Sequence, residues 1–304
     1  MGSGVNMVLI KLVGKIVIKL INKLNEYGKL VMFSHTIFSL SFALISMILA
    51  ANGLPKISTL IWILVCFMGA RTGANAINRV IDAEIDARNP RTSNRQIPKG
   101  EVKKKEVVLF TAVCFLIMLY GAYQLNLICF LLSPIALFLM IIYSYCKRFT
   151  YLCHLILGVT CACAPVGAWL AVTGELSFIP LFMGAANTLW VAGFDIIYGA
   201  QDYDFDRVNG LHSIPAKFGV KNAIFIAMFF HCITFLCLVI IGILAPELGM
   251  IYYIGITIIA CLFIIEYRII SPTNLTNVNI ASYSINQLVS IALLVSGLLD
   301  TLIL

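Results

Sequence analysis

Two clusters of acidic side chains stand out in a chain that has few of them. Of the 14 aspartates and glutamates among 304 residues, seven lie in two stretches, NRVIDAEIDARNPRTSNRQIPKG from Asn78 to Gly100 and DIIYGAQDYDFDRVNGLHSIPAKFG from Asp195 to Gly219. Asn78, Asp82 and Asp86 fall four apart, so on a helix they stack along one face with their oxygens pointing the same way. Asp195, Tyr198, Asp202 and Asp206 follow at steps of three, four and four and again share a face. Like charges at that spacing repel by about 0.2–0.5 kcal/mol per pair on an exposed helix, and by more near a membrane, so a cation is expected among them. Magnesium suits such a site, because it prefers a few carboxylates plus water and substrate phosphate oxygens. No histidine stands at ligand spacing, which disfavours zinc or a di-iron centre. Arg79, Arg88, Arg91, Arg95, Arg207 and Lys217 lie in these stretches, and Lys147 and Arg148 stand in the polar break between them. Carboxylates for a metal, interleaved with cations for phosphate oxygens, are the ingredients of a magnesium diphosphate site. Glu84 and Asp204 lie off the two faces and read as solvated. The plainer alternative is that these charges only cap helices at a membrane surface.

The elements that must position these residues are membrane helices. Hydrophobic residues make up 61% of the chain and charged ones 12%, a composition outside that of soluble domains. Nine apolar segments of membrane-spanning length are expected at about 32–51, 57–77, 107–123, 125–146, 151–173, 177–198, 221–244, 247–270 and 281–302. The runs are continuous rather than alternating, so the fold class is all-α, a polytopic bundle and not a barrel. With a cytosolic N-terminus, nine spans put 20 of the 21 lysines and arginines inside and only Lys56 outside. The net charge of +7 is therefore topological, and no solvated domain exists to bind nucleic acid. Lys11, Lys15, Lys19 and Lys23 repeat every four residues among Val8, Leu9, Leu12, Ile16, Leu20 and Leu24. Residues 1–30 thus read as an interfacial amphipathic helix on the inner leaflet, without a cleavable signal, and residues 31–304 as the nine-helix domain. The ten cysteines form no Cys-x-x-Cys pair and read as small buried hydrophobes. About 120 residues separate the two acidic clusters, which matches a duplicated four-helix unit followed by one extra span.

These motifs resemble those of the UbiA prenyltransferase superfamily. Asn78-x-x-x-Asp82-x-x-x-Asp86, followed by Asn89-Pro90-Arg91-Thr92 and Arg95-Gln96-Ile97-Pro98, is similar to its first signature. Asp195-x-x-Tyr198-x-x-x-Asp202-x-x-x-Asp206 is similar to the second, with Lys217 beyond it. Tyr143-Ser144 through Lys147-Arg148 and Thr150 resembles a third element, after the fourth span. The wording around Asn78 and the Ser34-His35-Thr36 entry to the first span look most like the 4-hydroxybenzoate polyprenyltransferase-like branch of quinone biosynthesis, except that Arg79 stands where many relatives carry aspartate.

The resemblance implies an integral protein of the bacterial cytoplasmic membrane with its active site facing the cytosol. It implies that Asn78, Asp82 and Asp86 hold one Mg2+ ion and Asp202 and Asp206 a second, bridged by the diphosphate of a polyprenyl donor. Arg79, Arg91, Lys147, Arg148 and Lys217 would pair with the diphosphate, and His35 would meet the carboxylate of an aromatic acid acceptor. Asp195 would be the base for the acceptor's hydroxyl, with a buried arginine partner as its alternative role, while Tyr143 and Tyr198 would orient the leaving group or face the cation. The alternatives are a dihydroxynaphthoate acceptor in menaquinone synthesis by the futalosine route and, in another class, a cation-coupled transporter. The transporter predicts carboxylates near the bilayer midplane. Prenyl length and oligomeric state are not encoded in these motifs.

Overall fold

A computed structural model describes residues 25–31 and 36–303. The long helices are α1 (Thr36–Ala51), α2 (Ile57–Ile81), α3 (Lys104–Leu125), α4 (Leu127–Ile142), α5 (Cys153–Thr173), α6 (Phe178–Gly199), α7 (Ile214–Leu244), α8 (Met250–Ile269) and α9 (Asn286–Ile303). Eight of the expected nine spans have the length and apolarity to cross a bilayer among the described residues. α1 falls short of that length among the described residues, with an apolar helical stretch at Leu40–Ala51. The lysine-rich face up to Lys23 and His35 lie outside the described residues. Residues 25–30 are helical, and Leu30 and Val31 are buried. Tyr27 packs edge-on against Phe110 at 4.7 Å, and Asn75 Nδ2 donates to the Val31 carbonyl, so this segment is fastened to α2 and α3.

With lipid tails as apolar as leucine, helices associate here through close backbone approach and buried hydrogen bonds. α2 and α3 touch at Gly69 and Gly73: a Cβ on Gly69 would stand 2.7 Å from the Cys114 carbonyl oxygen. α5 and α6 meet more tightly still at Gly158, where a Cβ would fall 2.2 Å from the Thr188 carbonyl oxygen. Polar ties run through the second half of the bundle. Trp190 Nε1 donates to Asn286 Oδ1 at 2.6 Å, Asn286 Nδ2 donates to Glu266 Oε1 at 2.9 Å, and His231 Nδ1 lies 3.1 Å from Glu266 Oε2. These side chains are buried, so the network joins α6, α7, α8 and α9 where an unmade polar contact would be costly. α1 packs against α5 and α9. Large apolar side chains such as Leu109, Leu116, Phe138 and Phe229 are exposed on the outside of the bundle, as lipid-facing positions require. All ten cysteines are free; Cys114, Cys146, Cys153 and Cys237 are buried as expected, whereas Cys232 and Cys261 are exposed.

Candidate active site

Both acidic motifs sit where a long helix breaks into a short one. α2 ends at Ile81 and a six-residue helix, Ala83–Arg88, follows; Asp82 between them has φ −90° and ψ 3°. α6 runs into a 3-10 turn, Ala200–Asp202, and then the short helix Tyr203–Val208, with Asp202 at φ −95° and ψ 7°. The middle aspartate of each motif therefore occupies the same sparsely populated bridge conformation, a likeness that agrees with duplication of a four-helix unit. The four-residue stacking survives the break in the first motif, because Asp82 N–H still donates to the Asn78 carbonyl at 2.9 Å and Asp86 N–H to the Asp82 carbonyl at 2.8 Å. Asn78 Nδ2 also donates to Asp82 Oδ2 at 2.9 Å.

The two motifs face one cavity of about 260 Å³. Asp82, Asp86, Asp195, Asp202 and Asp206 line it, and so do Arg71, Arg79, Arg91, Arg95 and Lys147, so five carboxylates meet five cations. Asn78, Tyr143 and Tyr198 are in the same wall. Glu84 and Asp204 are exposed, as their register implied. The pairing is specific. Arg148 Nη1 donates to Asp82 Oδ1 at 3.0 Å and Nη2 to the Ile81 carbonyl at 2.8 Å, tying the 3-10 turn Tyr143–Arg148 to the first motif. Arg95 Nη1 reaches both oxygens of Asp86 at 2.7 Å. Arg91 crosses to the second motif: Nε donates to Asp202 Oδ1 at 2.8 Å, Nη2 to Asp202 Oδ2, and Nη1 to the Tyr198 hydroxyl, with the guanidinium 4.7 Å from the Tyr198 ring centre. Asn89 Nδ2 adds a bond to Asp202 Oδ1 at 2.9 Å, and Ser213 Oγ donates to Asp206 Oδ2 at 2.8 Å.

Burial raises the pKa of Asp82 above the usual carboxylate value, although Lys147 and Arg148 nearby pull it down. Burial alone would lower the pKa of Arg91, but its bonds to Asp202 and Tyr198 outweigh that and raise it, so the side chain stays cationic. Among the described residues no three His, Cys, Asp or Glu side chains converge into a ready-made metal cage. The donors present are oxygen donors on two facing motifs, which fits a hard cation that takes a few carboxylates and completes its shell with water and phosphate.

Sequence spacing missed several partners. Asn89, Arg95 and Ser213 bond the motif carboxylates from loop positions, and Asp195 is held by His154 at 2.7 Å, not by an arginine. None of these contacts lies at the three- or four-residue interval at which neighbours on one helix touch, so periodicity could not find them. Lys217 is absent from the cavity wall: its ammonium stands 3.4 Å from the Tyr151 ring centre. Tyr143 is turned so that its hydroxyl donates to the Ala74 carbonyl at 3.3 Å. Arg79 Nε donates to the Leu30 carbonyl at 3.3 Å while its side chain lines the cavity.

A second cavity of about 350 Å³ lies alongside, walled by apolar side chains such as Phe67, Met118, Leu132 and Leu170. Arg71, Asn75, Tyr143, Leu157 and Cys161 line both cavities.

Residues 39–289 match the model of the UbiA prenyltransferase family. A protein named 4-hydroxybenzoate octaprenyltransferase, from Vibrio campbellii, is 32% identical over 225 residues, covering 74% of this chain and 78% of that one. Among solved structures, the apo structure of a UbiA homolog from Aeropyrum pernix K1 is 31% identical, superposes with a TM-score of 0.80, and covers 88% of this chain and 98% of that one. A UbiA homolog from Archaeoglobus fulgidus bound to GPP and Mg2+ shares the fold, with a TM-score of 0.65 at 20% identity over 88% of this chain and 99% of that one. The chain is an integral membrane protein that belongs to the UbiA prenyltransferase family and is an aromatic prenyltransferase.

Proposed function

We propose that this enzyme transfers a polyprenyl group from its diphosphate to a ring carbon of 4-hydroxybenzoate, with magnesium, at the cytosolic face of the bacterial inner membrane. The observation that carries the reading is the single cavity in which two aspartate motifs face each other among arginines. The named activity of the Vibrio relative supports the acceptor, and GPP with Mg2+ in the Archaeoglobus homolog supports the donor class and the ion. The position of the carboxylates at helix ends, beside cations suited to phosphate, speaks against the transporter. Retention of lysine and arginine at the motif end of the bundle supports the cytosolic orientation.

Magnesium bound here would supply positive charge against the departing diphosphate. Asn78, Asp82 and Asp86 would hold one ion and Asp202 and Asp206 a second. Arg79, Arg91 and Lys147, which line the cavity, would pair with diphosphate oxygens as the allylic carbon–oxygen bond breaks and its electron pair leaves with the diphosphate, while Arg148, outside the cavity wall, holds Asp82. The apolar cavity takes the hydrocarbon chain, and Tyr143 and Tyr198 turn their rings to the allylic cation. Asp195 accepts the acceptor's hydroxyl proton while the ring carbon ortho to that oxygen bonds to the allylic carbon. The ring proton at that carbon is then lost and Asp195 returns its own proton to the oxygen, for a net release of one proton. Membranes containing the protein, given magnesium, a polyprenyl diphosphate and either 4-hydroxybenzoate or a dihydroxynaphthoate, should yield a prenylated benzoate. Asp82→Ala and Asp202→Ala should abolish it. No product from either acceptor, or both variants matching the parent, removes the reading; product from the naphthoate alone replaces the acceptor.

A further inference from the structure

Asp195 is surrounded by a partner that the linear motif does not contain. His154, in the first turn of α5, is 1% exposed, and its Nδ1 lies 2.7 Å from Asp195 Oδ2. Both residues line the polar cavity, and the Asp195 side chain keeps 26% of its surface open. His154 Nε2 is buried with no hydrogen-bond partner among the described residues. The ring is also confined from behind by α6, since a Cβ on Gly199 would stand 3.0 Å from His154 Cε1.

A proton on Nε2 would leave a buried N–H unsatisfied, which is costly. A proton on Nδ1 is satisfied at once by the carboxylate, so the surroundings select the Nδ1–H tautomer. We propose that His154 is a positioning residue for proton transfer: by donating Nδ1–H to Asp195 Oδ2 it fixes the carboxyl plane and leaves Oδ1 as the atom that receives the acceptor's proton. The inference rests on the reading of Asp195 as the base. The arrangement suits both halves of the transfer, because Oδ2 accepts from Nδ1–H whether or not Oδ1 carries a proton. The hydroxyl O–H bond breaks with its electron pair retained on oxygen, the proton moves to Oδ1, and it returns to that oxygen once the ring proton has left. His154 keeps its own proton throughout, so its contribution is geometric.

The test is steady-state kinetics in membranes, with kcat and KM for both substrates, on the parent, Asp195→Asn, His154→Ala, His154→Asn and the double variant Asp195→Asn with His154→Ala. His154→Ala should lower kcat about 10- to 100-fold, by analogy with the loss on removing the hydrogen-bond partner that orients a metal ligand, with KM for the polyprenyl diphosphate unchanged. His154→Asn, whose amide N–H can replace the Nδ1–H donor, should recover most of the lost kcat. The double variant should be no slower than Asp195→Asn alone, since two residues acting through one atom are not additive. Parental kcat in His154→Ala, no recovery in His154→Asn, or a double variant slowed by the full product of the single effects would each overturn the proposal. An inactive parent, or Asp195→Asn at parental kcat, removes the underlying reading as well, whereas a slow Asp195→Asn beside a normal His154→Ala removes only the role of His154.

Discussion

Arg91 joins the two motifs alongside Asn89, and replacing it with lysine separates charge from shape. The guanidinium spends two donors on Asp202 and a third on the Tyr198 hydroxyl. Lysine keeps the charge but, as a point donor on a flexible stem, reaches one of these acceptors at a time. All three bonds have the charged guanidinium as donor, and such bonds contribute about 1.5–3 kcal/mol each, so losing two of them removes about 3–6 kcal/mol at most. Two observations reduce that figure: the Arg91 side chain is 28% exposed, so water replaces part of the loss, and Asn89 still donates to Asp202. A net loss of about 2 kcal/mol corresponds to about a 30-fold fall in kcat/KM for the polyprenyl diphosphate. Arg91→Ala goes further, because it leaves the buried Asp202 carboxylate without its counter-charge, a change that costs about 3–5 kcal/mol where measured. The assay is the initial rate of prenylated product against donor concentration, in membranes matched for protein content. The expected order is parent, then lysine, then alanine, with KM and kcat both affected. If Arg91→Lys holds kcat/KM within about threefold of the parent (under 0.7 kcal/mol), the fork geometry is not what keeps the two motifs in register.

Three further outcomes follow from the same geometry. Chelation of magnesium should abolish turnover and its return restore it; because burial raises the pKa of Asp82, the proton competes for that carboxylate at higher pH than for an ordinary aspartate, so the magnesium concentration giving half-maximal rate should rise as pH falls. Gly158→Ala would place a methyl group 2.2 Å from the Thr188 carbonyl oxygen, and the forced separation of α5 from α6 should cost about 1–3 kcal/mol, read as a lower melting temperature in detergent. Lys217→Ala should change kcat/KM less than Arg91→Ala does, since Lys217 rests on Tyr151 and outside the cavity wall; an equal loss would return it to the diphosphate site.

The parts of this molecule that were legible in its sequence are those encoded at short intervals. Long apolar runs located the helices, and four-residue spacing put Asn78, Asp82 and Asp86 on one face, because both properties belong to a single helix. The mid-motif breaks at Asp82 and Asp202 were not legible, since no proline or glycine stands at either position. Contacts between helices were hidden as well. His154 and Asp195 are 41 residues apart, and Asn89 and Asp202 are 113 apart; nothing in local spacing records such pairs. The Trp190, Asn286, Glu266 and His231 network was invisible for the same reason. Lys217 shows the opposite error, a cation placed near the motif by chain order and carried by the fold to an aromatic ring.

The matching backbone turns at Asp82 and Asp202 point to a repeated device, yet the loops beyond them behave differently. Asn89 and Arg91 leave the first motif and grip the second, whereas Ser213 and Arg207 fold back onto Asp206 and Tyr203 of their own motif. A twofold site would accept a ligand equally well in either direction. Here the symmetry is broken by one-way handshakes, so the two ends of the cavity differ from each other.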